Sequence, residues 1–103
     1  MEPYNVLKQL VAPIFERSGH KQVSEQIQPE VFGSAYSVFN NQRTKIRLVW
    51  DGRDAWGIAQ LFSSDAASEW EDIGDPIAKR DLENAGSDPN VQRFLAAIEK
   101  VAT

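Results

Sequence analysis

The chain contains no cysteine, one histidine and one methionine, and nowhere does it approach the roughly 18 consecutive apolar residues of a membrane span. Each scarcity excludes something. Without cysteine there is neither a disulfide framework nor a zinc–thiolate site. With His20 as the sole imidazole, catalytic zinc sites lack ligands and only a hard cation held by carboxylates stays open. Asp65, Glu69, Asp72 and Asp75 are spaced by three and four, but they lack the alternating ligands and closing Glu of an EF-hand loop. No GxxxxGK or GxGxxG occurs, so no phosphate cradle is indicated. General acid–base or nucleophilic catalysis would have to be assembled around His20, which stands beside Lys21 in a polar stretch and is expected at the surface near a helix end. The residues therefore point to a protein that is not an enzyme and carries no cofactor and no metal.

What is present suits one small fold. The 103 residues are 42% hydrophobic and 25% charged, enough for a single α+β domain over residues 1–103 but not for a deep second lobe around a substrate. The opening Met1-Glu2-Pro3 is acidic, and Lys8 and Gln9 interrupt the apolar run behind it, unlike a secretory signal. A cytoplasmic location with no membrane association is the expectation.

From Tyr4 to Arg17 the apolar residues Tyr4, Leu7, Leu10, Val11, Ile14 and Phe15 recur at spacings of three and four, predicting an amphipathic helix that Gly19 ends and Pro13 kinks or shortens. His20 to Glu30 is polar and reads as a connection. Val31–Phe39, Arg43–Trp50 and Trp56–Phe62 read as strands joined by turn-forming Asn40-Asn41-Gln42 and Asp51-Gly52-Arg53-Asp54-Ala55. Glu69–Ile73 is a short fourth strand or an extended segment, and Ser63-Ser64-Asp65 is suited to capping a turn of helix. Asp75-Pro76 and Ser87-Asp88-Pro89 each look like a helix cap followed by proline. The second of these precedes a stripe of Val91, Phe94, Leu95, Ile98 and Val101. Consecutive strands with segregated helices indicate an antiparallel meander of three to four strands, with the N-terminal helix and two C-terminal helices on one face.

Register decides which side chains share a face. Odd-numbered turns would set Trp50 against Trp56 and Leu48 against Ile58, and would place Phe32, Ser34, Tyr36 and Val38 with Thr44, Ile46, Leu48 and Trp50 on one aromatic face beneath the helices. The reverse face would then carry a basic row of Arg43, Lys45 and Arg47 over the small residues Gly33, Ala35, Ser37, Gly57 and Ala59.

The net charge of −4 hides an asymmetry: residues 1–50 hold six bases and four acids, and residues 51–103 hold five bases and eleven acids. Asp65, Glu69, Glu71, Asp72 and Asp75 follow one another with no intervening base. This acidic segment either folds back on the Arg43-Lys45-Arg47 row or faces outward to dock a cationic protein partner, with Trp70 as an interface anchor. Excess negative charge speaks against nucleic acid as the partner. A different class of function, a ligand-binding or sensor domain, would use an aromatic pocket between sheet and helices built from Tyr36, Trp50 and Trp56. An exposed sheet edge would serve self-association, so both monomer and homodimer stay open.

Val31-Phe32-Gly33-Ser34, then Lys45-Ile46-Arg47-Leu48-Val49-Trp50-Asp51-Gly52-Arg53, then Trp70-Glu71-Asp72-Ile73 ahead of a helix, together resemble a pattern in small bacterial proteins, some of which are proposed as immunity proteins beside polymorphic toxins. The resemblance covers about residues 31–77. It implies a cytoplasmic α+β protein and transfers no catalytic residue.

Overall fold

The computed structural model describes residues 2–63 and 69–103. Helix α1 (Pro3–Ser18) is followed by five strands, β1 (Lys21–Gln28), β2 (Ser34–Asn40), β3 (Lys45–Asp51), β4 (Trp56–Ser63) and β5 (Glu69–Ala78), and then by α2 (Lys79–Leu82) and α3 (Pro89–Ala102). The strands form one antiparallel sheet in sequence order. The protein is α+β, with five strands where three or four are legible from the sequence.

Helix α1 runs through Pro13 and stops where Gly19 turns left-handed at φ +76°, its N–H meeting the Glu16 carbonyl and that of His20 meeting the Phe15 carbonyl. At α3 the expected cap is present: Asp88 Oδ1 accepts from the N–H groups of Asn90 (2.8 Å) and Val91 (3.2 Å). Asp75-Pro76 does not start a helix. It lies inside β5, where an edge strand tolerates the missing proline donor, and the short α2 begins only at Lys79. There the buried Asp81 carboxylate accepts the Ala78 N–H (3.0 Å) and an Asn90 amide hydrogen (3.3 Å), tying α2 to α3.

The core lies between the helices and one face of the sheet. Tyr4, Leu7, Val11, Ile14 and Phe15 of α1 and Val91, Phe94, Ile98 and Ala102 of α3 cover Ala35, Phe39, Ile46, Leu48, Trp50, Ala59, Ile73 and Ile77. Both expected registers are corrected by one residue. The two turns have four residues each, so Trp50 opposes Gly57 rather than Trp56, Leu48 opposes Ala59, and Phe39 opposes Ile46. Side-chain hydrogen bonds set these lengths. Asn41 Oδ1 accepts from the N–H groups of Arg43 and Thr44, both at 2.8 Å, and Asp51 Oδ1 accepts from those of Arg53 (2.9 Å) and Asp54 (3.0 Å), with Ala55 left-handed at φ +58°. Small residues on the inner face of β4 let a bulky neighbour and a helix approach. A Cβ at Gly57 would lie 3.0 Å from the Trp50 ring and 3.1 Å from Leu7.

Candidate interaction face

With the register set in this way, Tyr36, Val38, Lys45, Arg47, Val49, Trp56, Ile58, Gln60, Phe62, Trp70 and Asp72 fall on the side of the sheet opposite the core. None of these residues belongs to the core cluster that the helices cover.

Its centre is Arg47 on the middle strand. One rung places Val38, Arg47, Gln60 and Asp72 side by side on β2, β3, β4 and β5. Arg47 Nε and Nη2 both donate to Gln60 Oε1, at 2.9 and 2.5 Å, and Gln60 Nε2 donates to Asp72 Oδ1 at 2.9 Å. The guanidinium carbon sits 4.3 Å from the Trp70 ring centre and 6.0 Å from that of Tyr36. Its half-buried position lowers its pKa. One rung further, Lys45 Nζ lies 4.9 Å over the Phe62 ring, which meets Trp70 edge-on at 5.3 Å. The Tyr36 hydroxyl donates to Gln26 Oε1 at 2.8 Å. Aromatic faces surrounding two cations, with a carboxylate at the edge, make a surface suited to rigid contact with a partner.

The residues singled out in the sequence are distributed as follows. Lys45 and Arg47 share the open face, but Arg43 does not: it lies in the β2–β3 turn and its Nη2 donates to the Thr103 carbonyl at 2.6 Å. The small neighbours expected beside the bases are on the core side, and the bases stand among aromatic and aliphatic side chains instead. Trp70 and Asp72 belong to the open face, whereas Glu69 and Glu71 alternate to the other side of β5 and Asp75 follows the Gly74 bulge. All four carboxylates are exposed. Asp65 lies outside the described residues, as does the expected Ser64-Asp65 cap. Tyr36, Trp50 and Trp56 do not line one pocket, because Trp50 is buried in the core and the other two project from the opposite face. Among the described residues the acidic segment makes no ion pair with the basic row. Ion pairs there join Lys8 to Glu25 and Arg17 to Glu99, and Asp72 reaches Arg47 only through Gln60.

Gln60 and Phe62 were missed by the sequence reading. Their signal is the alternation Trp56, Ile58, Gln60, Phe62, which is apolar enough to be mistaken for the buried face and is broken only by the glutamine.

Two polar clusters lie elsewhere. Beneath α1, Ser37 is fully buried and hydrogen-bonds the Tyr4 hydroxyl and Glu25 Oε2 (3.1 Å); the carboxylate also accepts from Tyr4 (2.9 Å) and from Lys8 Nζ (2.5 Å). Burial drives the Tyr4 pKa up to about 12, and the Lys8 hydrogen bond holds Glu25 below its usual range. With the serine sealed under Tyr4, the cluster fastens β1 to α1 and offers no nucleophile to solvent. His20 is not a surface residue: it is 6% exposed, stacks near Phe15, and lies between Ser18 Oγ on Nδ1 and Thr44 Oγ1 on Nε2, both at 2.6 Å. It joins α1 to the β2–β3 turn.

Among the described residues, no three His, Asp or Glu side chains converge as metal ligands, and no helix is long and apolar enough to cross a membrane. Comparison of the chain with protein-family models, with curated proteins and with solved structures finds no match.

Proposed function

We propose that the chain is a non-catalytic protein-binding module that docks its partner on the open face of the sheet, of which a toxin-neutralising immunity protein is one specific form. The supporting observation is the cluster of Tyr36, Phe62 and Trp70 around Arg47 and Lys45 on a side of the sheet that the helices leave uncovered. The partner is cationic at its rim, because Asp72 on that face and the exposed Glu69, Glu71 and Asp75 elsewhere on β5 make the bordering edge strand acidic. The same carboxylates repel nucleic-acid phosphates.

The test is affinity capture of a cationic partner at low and moderate salt, repeated with Trp70→Ser and with Glu69, Glu71 and Asp72 reversed to lysine. The expected result is capture by the native chain that weakens with salt, falls at least about thirtyfold for Trp70→Ser and is lost on charge reversal. Capture indifferent to both changes would overturn the assignment. For the immunity form, a toxin encoded beside the chain should arrest growth alone and fail to do so when co-expressed with it.

A further inference from the structure

Among the described residues, the exposed large aliphatic and aromatic side chains are Val23, Ile27, Val31 and Phe32, at 57, 53, 42 and 71% exposure. They fall in one stretch of ten residues, comprising most of β1 and the turn after it. Seven of the eight β1 residues are exposed, and as the first strand of the sheet β1 has an unpaired outer row of N–H and C=O groups. Proteins ordinarily blunt such an edge. β5, the other edge, is blunted by the left-handed Gly74 (φ +67°), by Pro76 and by Glu69, Glu71 and Asp75. β1 carries no proline and has one bulge, between Gln22 and Ser24.

Phe32 is held outward by its backbone. It adopts φ +56°, a region that a bulky residue rarely enters. Its carbonyl oxygen packs against Gly52 so closely that a Cβ there would lie 2.0 Å away, while the Gly52 N–H donates to Ser34 Oγ at 2.9 Å. At the opposite end of the same strand, a groove of about 370 Å³ runs between α1 and β1, its lining including the apolar Ala12, Phe15 and Phe39 and the charged Lys8, Glu16 and Lys21.

We propose that two copies of the chain join edge to edge along β1, antiparallel about a two-fold axis at Gln26, so that the Val31–Phe32 knob of each copy seats in the groove of the other. A two-fold axis through the middle of a strand exchanges its ends, and knob and groove therefore meet twice in a closed, isologous contact. Centring on Gln26 keeps residues of the same face opposite each other, Ser24 with Gln28 and Glu25 with Ile27 of the second copy. β1 ends at Gln28, and Glu30 sits in the single 3-10 turn Pro29–Val31 that follows it, so Lys21 at the start of β1 comes to the end of the seam where Glu30 of the second copy projects. The seam thus gains two opposite-charge contacts and opposes no like charges, whereas centring on Glu25 would oppose two carboxylates. A second copy is the occupant because knob, groove and both charges belong to this chain. The open faces of both copies stay accessible, so the dimer and the docking function stand or fall separately.

The experiment measures molar mass by sedimentation and light scattering from micromolar to millimolar chain. Mass should rise towards twice that of the chain, Phe32→Ser should raise the dissociation constant at least about tenfold, and Lys21→Glu and Glu30→Lys should each raise it about threefold or more. The doubly swapped K21E/E30K chain should recover native affinity. Because the chain has no cysteine, Gln26→Cys places a single thiol on the axis and should give a covalent dimer on mild oxidation, while Gln92→Cys on α3 should not. A monomer at every concentration, a dimer indifferent to Phe32→Ser, or a swap that fails to restore affinity would overturn the proposal.

Discussion

The guanidinium of Arg47 on β3 lies 4.3 Å from the ring centre of Trp70 on β5, reaching across Gln60 of the intervening strand. A base from the positively charged half of the chain and the tryptophan of the acidic run therefore meet as cation and ring rather than as an ion pair. The carboxylate of Asp72 on the same face is linked to the guanidinium through the glutamine side chain.

This contact should be measurable as a coupling. Trp70→Leu and Arg47→Met, singly and together, should show a non-additive loss of about 0.5–1 kcal/mol in urea unfolding, the magnitude of a partly solvated cation–ring pair. Strict additivity would mean that Trp70 contributes apolar contact alone.

His20 makes the fold acid-sensitive. Burial first, and then the charge of Arg43, lower its pKa from 6.5, so the folded chain holds the ring neutral between its two hydroxyl partners. The unfolded chain takes up a proton near 6.5 while the folded chain resists. Stability is therefore complete above that value and is lost as pH falls from 6.5 through the lowered native pKa. Melting temperature should drop between about pH 7.5 and about pH 5, and the slope should flatten in His20→Gln. An unchanged slope in that variant would assign the acid sensitivity to other groups.

Much of this architecture is visible in the sequence, and the parts that are not have physical causes. The period-3.6 stripe of α1, the Asp88 cap of α3 and three of the strands follow from local patterns that tertiary structure did not override. β1 escaped notice because an edge strand with polar residues on both sides shows no alternation, and its only large aliphatics, Val23 and Ile27, are exposed. The register slipped because β3 and β4 are apolar on both faces: Ile46, Leu48 and Trp50 point inward while Val49, Ile58 and Phe62 point outward, so hydrophobicity alone does not choose between them. The deciding information lay in the turns, where Asn41 and Asp51 each fold the backbone over their own side chain. Finding the open face required that choice to be correct. Lys45 and Arg47 were recognised, but their aromatic company was assigned to the core.

The Tyr4–Ser37–Glu25 cluster predicts two opposite limbs. Tyr4 titrates at about 12 when folded against 10.0 as a free phenol, so its contribution is complete below 10.0 and is lost as pH rises through the folded value. Glu25, held below its usual 4.5 first by the Lys8 hydrogen bond, contributes above 4.5 and loses that contribution as pH falls through its folded pKa. Tyr4→Phe should remove the alkaline limb at a cost of about 1–2 kcal/mol for the hydrogen bonds lost beneath α1. Glu25→Gln should flatten the acid limb. Denaturant titrations across pH separate the two.

Gly57→Ala tests the register directly. On the inner face of β4, the added methyl would meet the Trp50 ring at 3.0 Å, Leu7 at 3.1 Å and the Val49 carbonyl at 3.3 Å, and Trp50 and Leu7 are both buried. The expected loss is about 1–3 kcal/mol, as for overpacking elsewhere in close-packed cores. Gly86→Ala, where nothing lies within 4 Å of the new methyl, is the control and should be neutral or stabilise by about 0.4–1 kcal/mol through the unfolded chain. The comparison discriminates because the alternative pairing, with Trp50 opposite Trp56, would turn Gly57 to the open face. There alanine would be as harmless as at Gly86. A neutral Gly57→Ala would therefore move Trp56, Ile58 and Phe62 under the helices and empty the face on which docking is proposed. A destabilised variant that still binds through Trp70 would locate the glycine beneath the sheet and the aromatic face above it.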